Sequence, residues 1–264
     1  TSKNVLSTGI VAGISENDSA TISNNHFSGV LPFYVDVQRA WITGNSIESP
    51  YGSTIFQSKP DQTALIEKNT FKASFQPTDG TSRALTVEGK GTAFVQENHF
   101  EGYEQALKST SLIYIVIRHN TFTDNNVAAG ITFGFPLMPF TNTAKVLENT
   151  FQSSGKRDLF IAGGYAPPYP TVLVSKNRST NVQGKGIELF GTVNAEVSEN
   201  TFELASTATH GIEAAFTSNA FIHNNKIYFA PTALNDPIGI RVRAAFPEPL
   251  MAVTVENNLV RGSG

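Results

Sequence analysis

Two glutamates and two arginines in the last third of the chain have the types and spacing that could support catalysis. Glu188 and Glu213 each follow an isoleucine in a short apolar segment, Arg241 holds the same position in the next such segment, and Arg243 lies two residues further on. Two carboxylates about 5 Å apart are the arrangement of retaining glycosidases, and their repulsion would raise one pKa, as a general acid requires. Arginine beside a uronate carboxylate would instead acidify the C5 proton for a lyase or epimerase. The third interpretation is a surface Glu–Glu–Arg ladder without a catalytic role.

These residues meet only if the segments that carry them stack, and a repeat along the chain predicts that they do. The phrase Ala-x-[Ile/Val]-x-x-Asn-x-Phe returns about every twenty to thirty residues. The alternation before the asparagine is typical of a short strand with one buried face. Asparagine tolerates the left-handed backbone of a sharp corner, and its amide donates and accepts, so stacked copies can hydrogen-bond to one another. The asparagines of this series are Asn4, Asn25, Asn45, Asn69, Asn98, Asn120, Asn149, Asn177, Asn200, Asn225 and Asn258.

A second apolar segment, often opened by glycine, usually precedes the next Ile or Val by ten residues, as from Ile187 to Val197. A repeat of twenty-odd residues that holds two or three short strands predicts a parallel β-helix. About eleven such coils, at ~4.8 Å between strands, would form a rod about 50 Å long. No helical periodicity is sustained, which argues against leucine-rich or all-α repeats.

The repeat resembles the generic parallel β-helix repeats of the right-handed parallel β-helix, pectin-lyase-like superfamily, over essentially residues 1–262. The resemblance implies an all-β, single-stranded right-handed parallel β-helix with an asparagine ladder, in one domain covering residues 1–264. Members include polysaccharide lyases, glycoside hydrolases, sugar epimerases, phage tailspikes and surface adhesins. Whether this chain is an enzyme stays open, because the signature motifs of pectate lyases, mannuronan epimerases and polygalacturonases are absent.

Three coils carry an insertion at the same corner of the repeat, in segments 134–144, 163–171 and 244–251, whereas the two coils between the last two insertions have none. This predicts a notch with aromatic loops as walls and the two glutamates as floor. Aromatic rings on proline-rich loops suit stacking on sugars, although the loops could instead cover the apolar surface of the rod. The residues expected to bind substrate are Phe135, Tyr165, Tyr169, Arg243 and Phe246, and those expected to be catalytic are Glu188, Glu213 and Arg241.

A different anomaly occupies the outward position before Ile or Val in four successive coils, which carry Trp41, Leu65, Phe94 and Val116. A contiguous exposed apolar patch usually marks an interface. The stripe therefore predicts association with a second subunit or an adjacent domain, and the alternative is that the loop 72–82 covers it.

Composition narrows the classes of function. The net charge of −3 argues against nucleic-acid binding. The sequence contains no run of eighteen apolar residues, so no membrane-spanning helix is predicted. The absence of cysteine excludes disulfides and thiolate ligands, and the five histidines fall on scattered coils, so neither a metal site nor a cofactor is expected. The first residue is Thr, and no capping helix is evident at either end, so we expect a processed part or a fragment of a longer protein.

The leading hypothesis is an extracellular β-helix domain that binds a polysaccharide along its flank and acts on it as a lyase, hydrolase or epimerase if it is an enzyme. The alternative is a non-catalytic stalk or adhesin domain of a phage tail or cell-surface protein. Both hypotheses place the domain outside the cell or on a cell or virion surface.

Overall fold

The computed structural model describes residues 10–13, 18–29, 32–74, 82–133, 141–163, 169–191, 194–217, 219–231, 237–243 and 252–262. These residues form three parallel ten-stranded sheets, which the chain visits in turn, and the thirty strands are numbered in chain order. Each strand pairs with strands three before and three after it, so successive coils stack along an axis. The described part of the chain contains no helix, and hence no helix long and apolar enough to cross a membrane.

The first sheet contains β1 (Ile10–Gly13), β4 (Phe33–Asp36), β7 (Ser53–Gln57), β10 (Arg83–Gly89), β13 (Gln105–Thr110), β16 (Val127–Thr132), β19 (Arg157–Ala162), β22 (Lys185–Phe190), β25 (His210–Ala215) and β28 (Ile238–Arg243). The second contains β2 (Ser19–Ser23), β5 (Arg39–Thr43), β8 (Thr63–Glu67), β11 (Thr92–Gln96), β14 (Tyr114–Arg118), β17 (Thr143–Leu147), β20 (Thr171–Ser175), β23 (Asn194–Ser198), β26 (Asn219–His223) and β29 (Ala252–Glu256). The third contains β3 (His26–Ser28), β6 (Ser46–Glu48), β9 (Thr70–Lys72), β12 (His99–Glu101), β15 (Thr121–Thr123), β18 (Thr150–Gln152), β21 (Arg178–Val182), β24 (Thr201–Leu204), β27 (Lys226–Phe229) and β30 (Leu259–Arg261).

A coil is therefore one strand from each sheet, and the described residues make ten coils rather than the expected eleven. The expected additional coil, around Asn4, lies outside the described residues. The all-β parallel solenoid itself is confirmed.

The asparagine ladder is confirmed between the second and third sheets. Asn120 Oδ1 accepts hydrogen bonds from the backbone N and the Nδ2 of Asn98, both at 3.0 Å. Its own Nδ2 donates to Val95 O at 2.8 Å, to Arg118 O at 3.0 Å and to Asn149 Oδ1 at 3.0 Å. The same contacts join consecutive asparagines from Asn25 to Asn258. Each amide thus satisfies polar groups of its own coil and of both neighbours, which would otherwise be buried without partners.

The left-handed residue at this corner is not the ladder asparagine, so that part of the sequence interpretation is wrong. The residue immediately before each ladder asparagine has a positive φ, for example 56° at Glu97, 55° at His119 and 58° at Lys176. All residues in this column are exposed. The ladder side chain must point inward to make its hydrogen bonds. The preceding residue, whose side chain is in solvent, therefore adopts the left-handed backbone conformation.

The interior is filled by columns of like residues. Phe71, Phe100, Phe122 and Phe151 stack with ring centroids 4.8, 4.9 and 5.1 Å apart. Burying each phenylalanine side chain contributes roughly 2–3 kcal/mol. The columns also set the register of the coils, since a slipped coil would lose its stacking partner on both sides.

In the coil after Phe151, the small polar residue Ser179 takes the position that an apolar residue holds in the other described coils. In the following coil a Cβ at Gly186 would lie 2.6 Å from the ring of Phe202, so glycine is required there. In the coil of Ser179, Asp158 occupies the position that corresponds to Gly186. Its side chain fits there because serine is small and leaves the space that the phenylalanine ring fills in the next coil.

Asp158 is fully buried beside Ser154 and Ser179, whose hydroxyls favour its charged form but make no well-aligned hydrogen bond to it. Burial outweighs the hydroxyls and raises the pKa of Asp158 to about 7.

Candidate functional site

The strand register brings together three residues that the sequence singled out for chemistry. Glu188 on β22 pairs with Glu213 on β25, and Glu213 pairs with Arg241 on β28. The three side chains therefore occupy one column on the outer side of the first sheet, across the eighth, ninth and tenth coils. Their expected alignment is confirmed.

The two carboxylates are nevertheless buried, which corrects the expectation of an open acidic floor. Glu188 is 7% exposed and Glu213 is 1% exposed. Lys185 Nζ lies 2.7 Å from Glu188 Oε1 and 2.5 Å from Glu213 Oε2, so one ammonium group joins both carboxylates. The long cationic side chains of the neighbouring positions lie over the glutamates and remove them from solvent.

Two further arginines complete the ion-pair network. Arg157 Nη1 lies 2.5 Å from Glu188 Oε2, and Arg243 Nε lies 2.9 Å from Glu213 Oε1. Arg243 and Glu213 form an ion pair but no hydrogen bond, because the Nε–H does not point at the carboxylate oxygen. Arg241 Nη1 is 3.8 Å from Glu213 Oε1, so Arg243 makes the closer contact to this carboxylate, and a role of Arg241 in holding a substrate carboxylate stays a prediction.

Arg241 is held instead by a histidine. Its Nη1 lies 3.2 Å from Nε2 of His210, a buried residue in the neighbouring coil. Burial lowers the pKa of His210, and the charges of Arg241, Lys185 and Arg243 lower it further, while Glu213 opposes them. A neutral imidazole can accept the guanidinium N–H at Nε2. The ring therefore orients Arg241 without adding positive charge.

The pKa of Glu213 moves in the direction opposite to that of a general acid. Burial by itself raises the pKa, but the close ammonium group of Lys185 and the charge of Arg243 outweigh burial and lower it. The like-charge repulsion predicted between two bare carboxylates is removed because a cation lies between them. Glu213 is therefore held in its ionised form.

Lys185 and Arg157 are site residues that the sequence analysis missed. Lys185 lies three residues before Glu188, and Arg157 lies three residues before Phe160, which pairs with Glu188. Arg157, Lys185 and His210 pair in a column of their own beside the glutamate column. Comparing that position between coils would have shown the cations.

The resulting surface is positively charged and partly aromatic. Arg157, Lys185, Arg241 and Arg243, here called the cationic cluster, surround two carboxylates and leave a surplus of two positive charges. The Arg241 and Arg243 side chains are each 40% exposed. The Arg157 guanidinium lies 4.7 Å from the ring of Phe160, and that of Arg243 lies 5.7 Å from Phe216. Exposed, positioned guanidinium groups of this kind can bind carboxylate, sulfate or phosphate.

The sequence model of the family described as right handed beta helix region matches residues 3–166 and 137–264. The chain belongs to this family. The match identifies a repeat architecture and no particular enzyme family, and no curated protein matches the chain.

Among solved structures, this β-helix protein is similar to a double-mutant tailspike protein of E. coli bacteriophage HK620 in complex with a pentasaccharide. The sequences are 13% identical and the TM-score is 0.61. The match covers 97% of this chain and 57% of the tailspike chain, so the β-helix protein spans little more than half the length of that relative. At this identity the similarity establishes a shared fold.

The three insertions of this β-helix all lie where a first-sheet strand leads into a second-sheet strand, as the sequence predicted. The corresponding connections of the eighth and ninth coils are only 191–193 and 216–218. Of the aromatic residues expected to bind substrate, Tyr169 is half-buried just before β20. Phe135, Tyr165 and Phe246 lie outside the described residues, so the aromatic walls of the notch stay a prediction.

The predicted apolar stripe is contiguous on the outer face of the second sheet. Trp41 pairs with Leu65, Leu65 with Phe94, and Phe94 with Val116. Trp41 is 38% exposed, and Leu65 and Phe94 are half-buried. Val116 is buried, contrary to expectation, where the larger side chain of Phe94 and its neighbour Tyr114 meet edge to face. Association through the stripe stays a prediction, and the covering loop proposed as its alternative lies partly outside the described residues, at 75–81.

Proposed function

We propose that this protein is a carbohydrate-binding β-helix domain that holds an acidic polysaccharide on its first sheet, across the seventh to tenth coils. The cationic cluster is the observation that carries this function. Its four cations exceed its two carboxylates, and Arg241 and Arg243 keep part of their guanidinium surface in solvent. Because the cations come from the seventh, eighth and tenth coils, the positive charges follow the axis of the rod, as binding of an extended polymer requires.

A glycan fits this surface better than a nucleic acid. The whole chain carries a net charge of −3, so the positive potential is local and lacks the broad basic surface typical of nucleic-acid binding. The rings of Phe160 and Phe216 beside the arginines offer apolar faces to the C–H groups of a sugar. The tailspike that shares the fold was solved with a pentasaccharide, which supports carbohydrate as the class of ligand.

The buried glutamates position the cations in this proposal. Glu188 and Glu213 fix Lys185 between them, and each holds one arginine. Side chains that are already ordered lose less conformational entropy when the ligand binds. Catalytic roles for Glu188, Glu213 and Arg241, in a lyase, hydrolase or epimerase, stay a prediction. An extracellular or surface location follows from the proposed ligand and belongs to the same proposal.

Affinity electrophoresis and calorimetry with polygalacturonate, and with the same polymer after reduction of its carboxyl groups, test the proposal. We expect the acidic polymer to bind, the reduced polymer to bind much more weakly, and added salt to weaken binding. The double variant R241A/R243A should bind at least roughly tenfold more weakly, since charge-assisted hydrogen bonds are worth about 1.5–3 kcal/mol each.

The matched control is R118A/R178A, which removes the same charge from exposed positions on the other two sheets. Equal binding of both polymers, or equal weakening by the two double variants, would contradict the acidic-glycan site.

The apolar stripe supports a second candidate, a non-catalytic stalk or adhesin domain. Trp41 and its neighbours Leu65 and Phe94 form an apolar surface on a rigid rod, which suits lateral association with another subunit or domain. If the chain forms oligomers in solution and binds none of the glycans tested, this candidate is favoured over the first.

A further inference from the structure

A depression of about 500 Å³ lies on the outer face of the second sheet, away from the cationic cluster. It extends over the sixth to tenth coils, and its lining includes Lys145, Leu173, Asn194, Glu196, Asn219 and Phe221. Its volume is within the range of small-molecule sites.

Phe221 gives this groove an aromatic platform. Its side chain is 38% exposed, and its ring stacks on that of His223 with centroids 4.0 Å apart and planes at 27°. Nε2 of His223 lies 3.4 Å from Glu196 Oε1. A ring supported from one side by a second ring keeps a fixed orientation, so its free face can receive a flat apolar surface without much loss of entropy.

Polar groups that suit hydroxyls surround the platform. Asn219 Nδ2 donates to Asn194 Oδ1 at 2.7 Å, which leaves each amide further donor and acceptor capacity. Glu196 is exposed and Oε1 accepts from Ser198 Oγ at 3.2 Å, so its second oxygen can accept from a ligand. The positive charge of Lys145 balances the negative charge of Glu196. The groove therefore has no surplus of positive charge, unlike the cationic cluster.

The geometry points to a second carbohydrate site in this groove, one that binds an uncharged sugar unit against Phe221. The apolar face of a pyranose would lie on the phenylalanine ring, and its hydroxyl groups would bond to the Asn194–Asn219 amide pair and to Glu196. An acidic sugar is disfavoured because its carboxylate would face that of Glu196. The site is separate from the cationic cluster and does not depend on the acidic-glycan proposal.

Saturation-transfer NMR and calorimetry on the intact chain, with maltoheptaose, cellohexaose and xylohexaose as probes, test this site. We expect saturable binding of at least one of them, weakened roughly tenfold by F221A because the stacking surface is lost. W41A is the matched control, since Trp41 lies in the same column of the second sheet and is also 38% exposed. Thermal unfolding of F221A should match that of the unmodified chain, because the side chain lies on the surface.

Three outcomes would overturn the proposal: no saturable binding of any of the three oligosaccharides, equal loss in F221A and W41A, or a change in molecular mass of F221A that reveals a second chain as the occupant. The double variant R241A/R243A separates the two sites. It should keep neutral-sugar binding, and F221A should keep polygalacturonate binding, so that failure of one site leaves the other interpretable.

Discussion

The ammonium group of Lys185 lies 2.5 Å from Glu213 Oε2, although the two residues belong to adjacent coils. The same group is 2.7 Å from Glu188 Oε1 in its own coil. This one cation changes what the two carboxylates can do, because it replaces the repulsion between them by attraction to a shared partner. A pair of carboxylates that resembles the acids of a glycosidase in sequence is thereby buried and paired with cations.

The variant E213Q separates a structural role of this carboxylate from a catalytic one. We expect it to lower the free energy of unfolding by roughly 2–3 kcal/mol, since Lys185 and Arg243 lose their buried counter-charge. Because the folded pKa of Glu213 is lowered, its contribution is present above the ordinary glutamate pKa and is lost as the pH falls through the folded value. Chemical denaturation at neutral and acidic pH measures both effects.

The control for this experiment is E203Q, whose carboxylate pairs with Arg178 on the surface and should contribute little. If E213Q instead kept full stability and glycan binding but abolished turnover of a substrate polysaccharide, Glu213 would be catalytic and the structural role would be refuted.

The raised pKa of Asp158 predicts that the free energy of unfolding decreases as the pH rises. Its folded pKa is raised from 3.8 to about 7, so the protonated form stabilises the fold, and this contribution is lost as the pH rises towards the folded pKa. D158N stays neutral at every pH. Its stability relative to the unmodified chain should be nearly unchanged at about pH 4 and higher by up to roughly 4 kcal/mol at about pH 8.

Thermal unfolding of both proteins across this pH range measures the difference. D124N serves as control, because it makes the same substitution at an exposed position. A difference between D158N and the unmodified chain that does not depend on pH would contradict the raised pKa.

The asparagine ladder should contribute to stability coil by coil. N120A and N149A each remove hydrogen bonds to both neighbouring coils and leave buried carbonyl groups without partners, so we expect losses of about 1–3 kcal/mol. N258A should cost less, because Asn258 is only partly buried and bonds to one ladder asparagine, Asn225, among the described residues. Denaturant titration compares the three. Equal unfolding midpoints for N120A and the unmodified chain would refute the structural role of the ladder.

The apolar stripe should be covered in the working assembly. The double variant L65E/F94E places two charges on it and should lower the molecular mass seen by light scattering, or detach a neighbouring domain in a longer chain, because an apolar interface does not accept unpaired carboxylates. Q152E on the third sheet is the control for added charge. An experimental structure of the full-length protein with Trp41, Leu65 and Phe94 all in solvent would contradict this prediction.

Much of the fold was predictable from the sequence because the coils repeat one local pattern. Ala64 and Ile66, and their counterparts in each coil, point inward at a period of two. The asparagine that follows bonds to its copy in the next coil and to backbone carbonyl groups of its own and the preceding coil. Once each coil stacks on the next in register, Glu188, Glu213 and Arg241 must share a column. The parallel β-helix, the ladder and the positions of the insertions all follow from this repetition.

The tertiary structure alone decided which residues act together at the site. Lys185 and Arg157 reach the carboxylates sideways, from a neighbouring column, over a distance that depends on the rotamers of long flexible side chains. Asp158 occupies the core only because Ser179, twenty-one residues later, leaves space for it. Similarly, the strain at each corner falls on the residue before the ladder asparagine, since only that side chain is free to face solvent. The backbone pattern is local and repeats, whereas burial, charge pairing and pKa depend on contacts between side chains that the repeat does not specify.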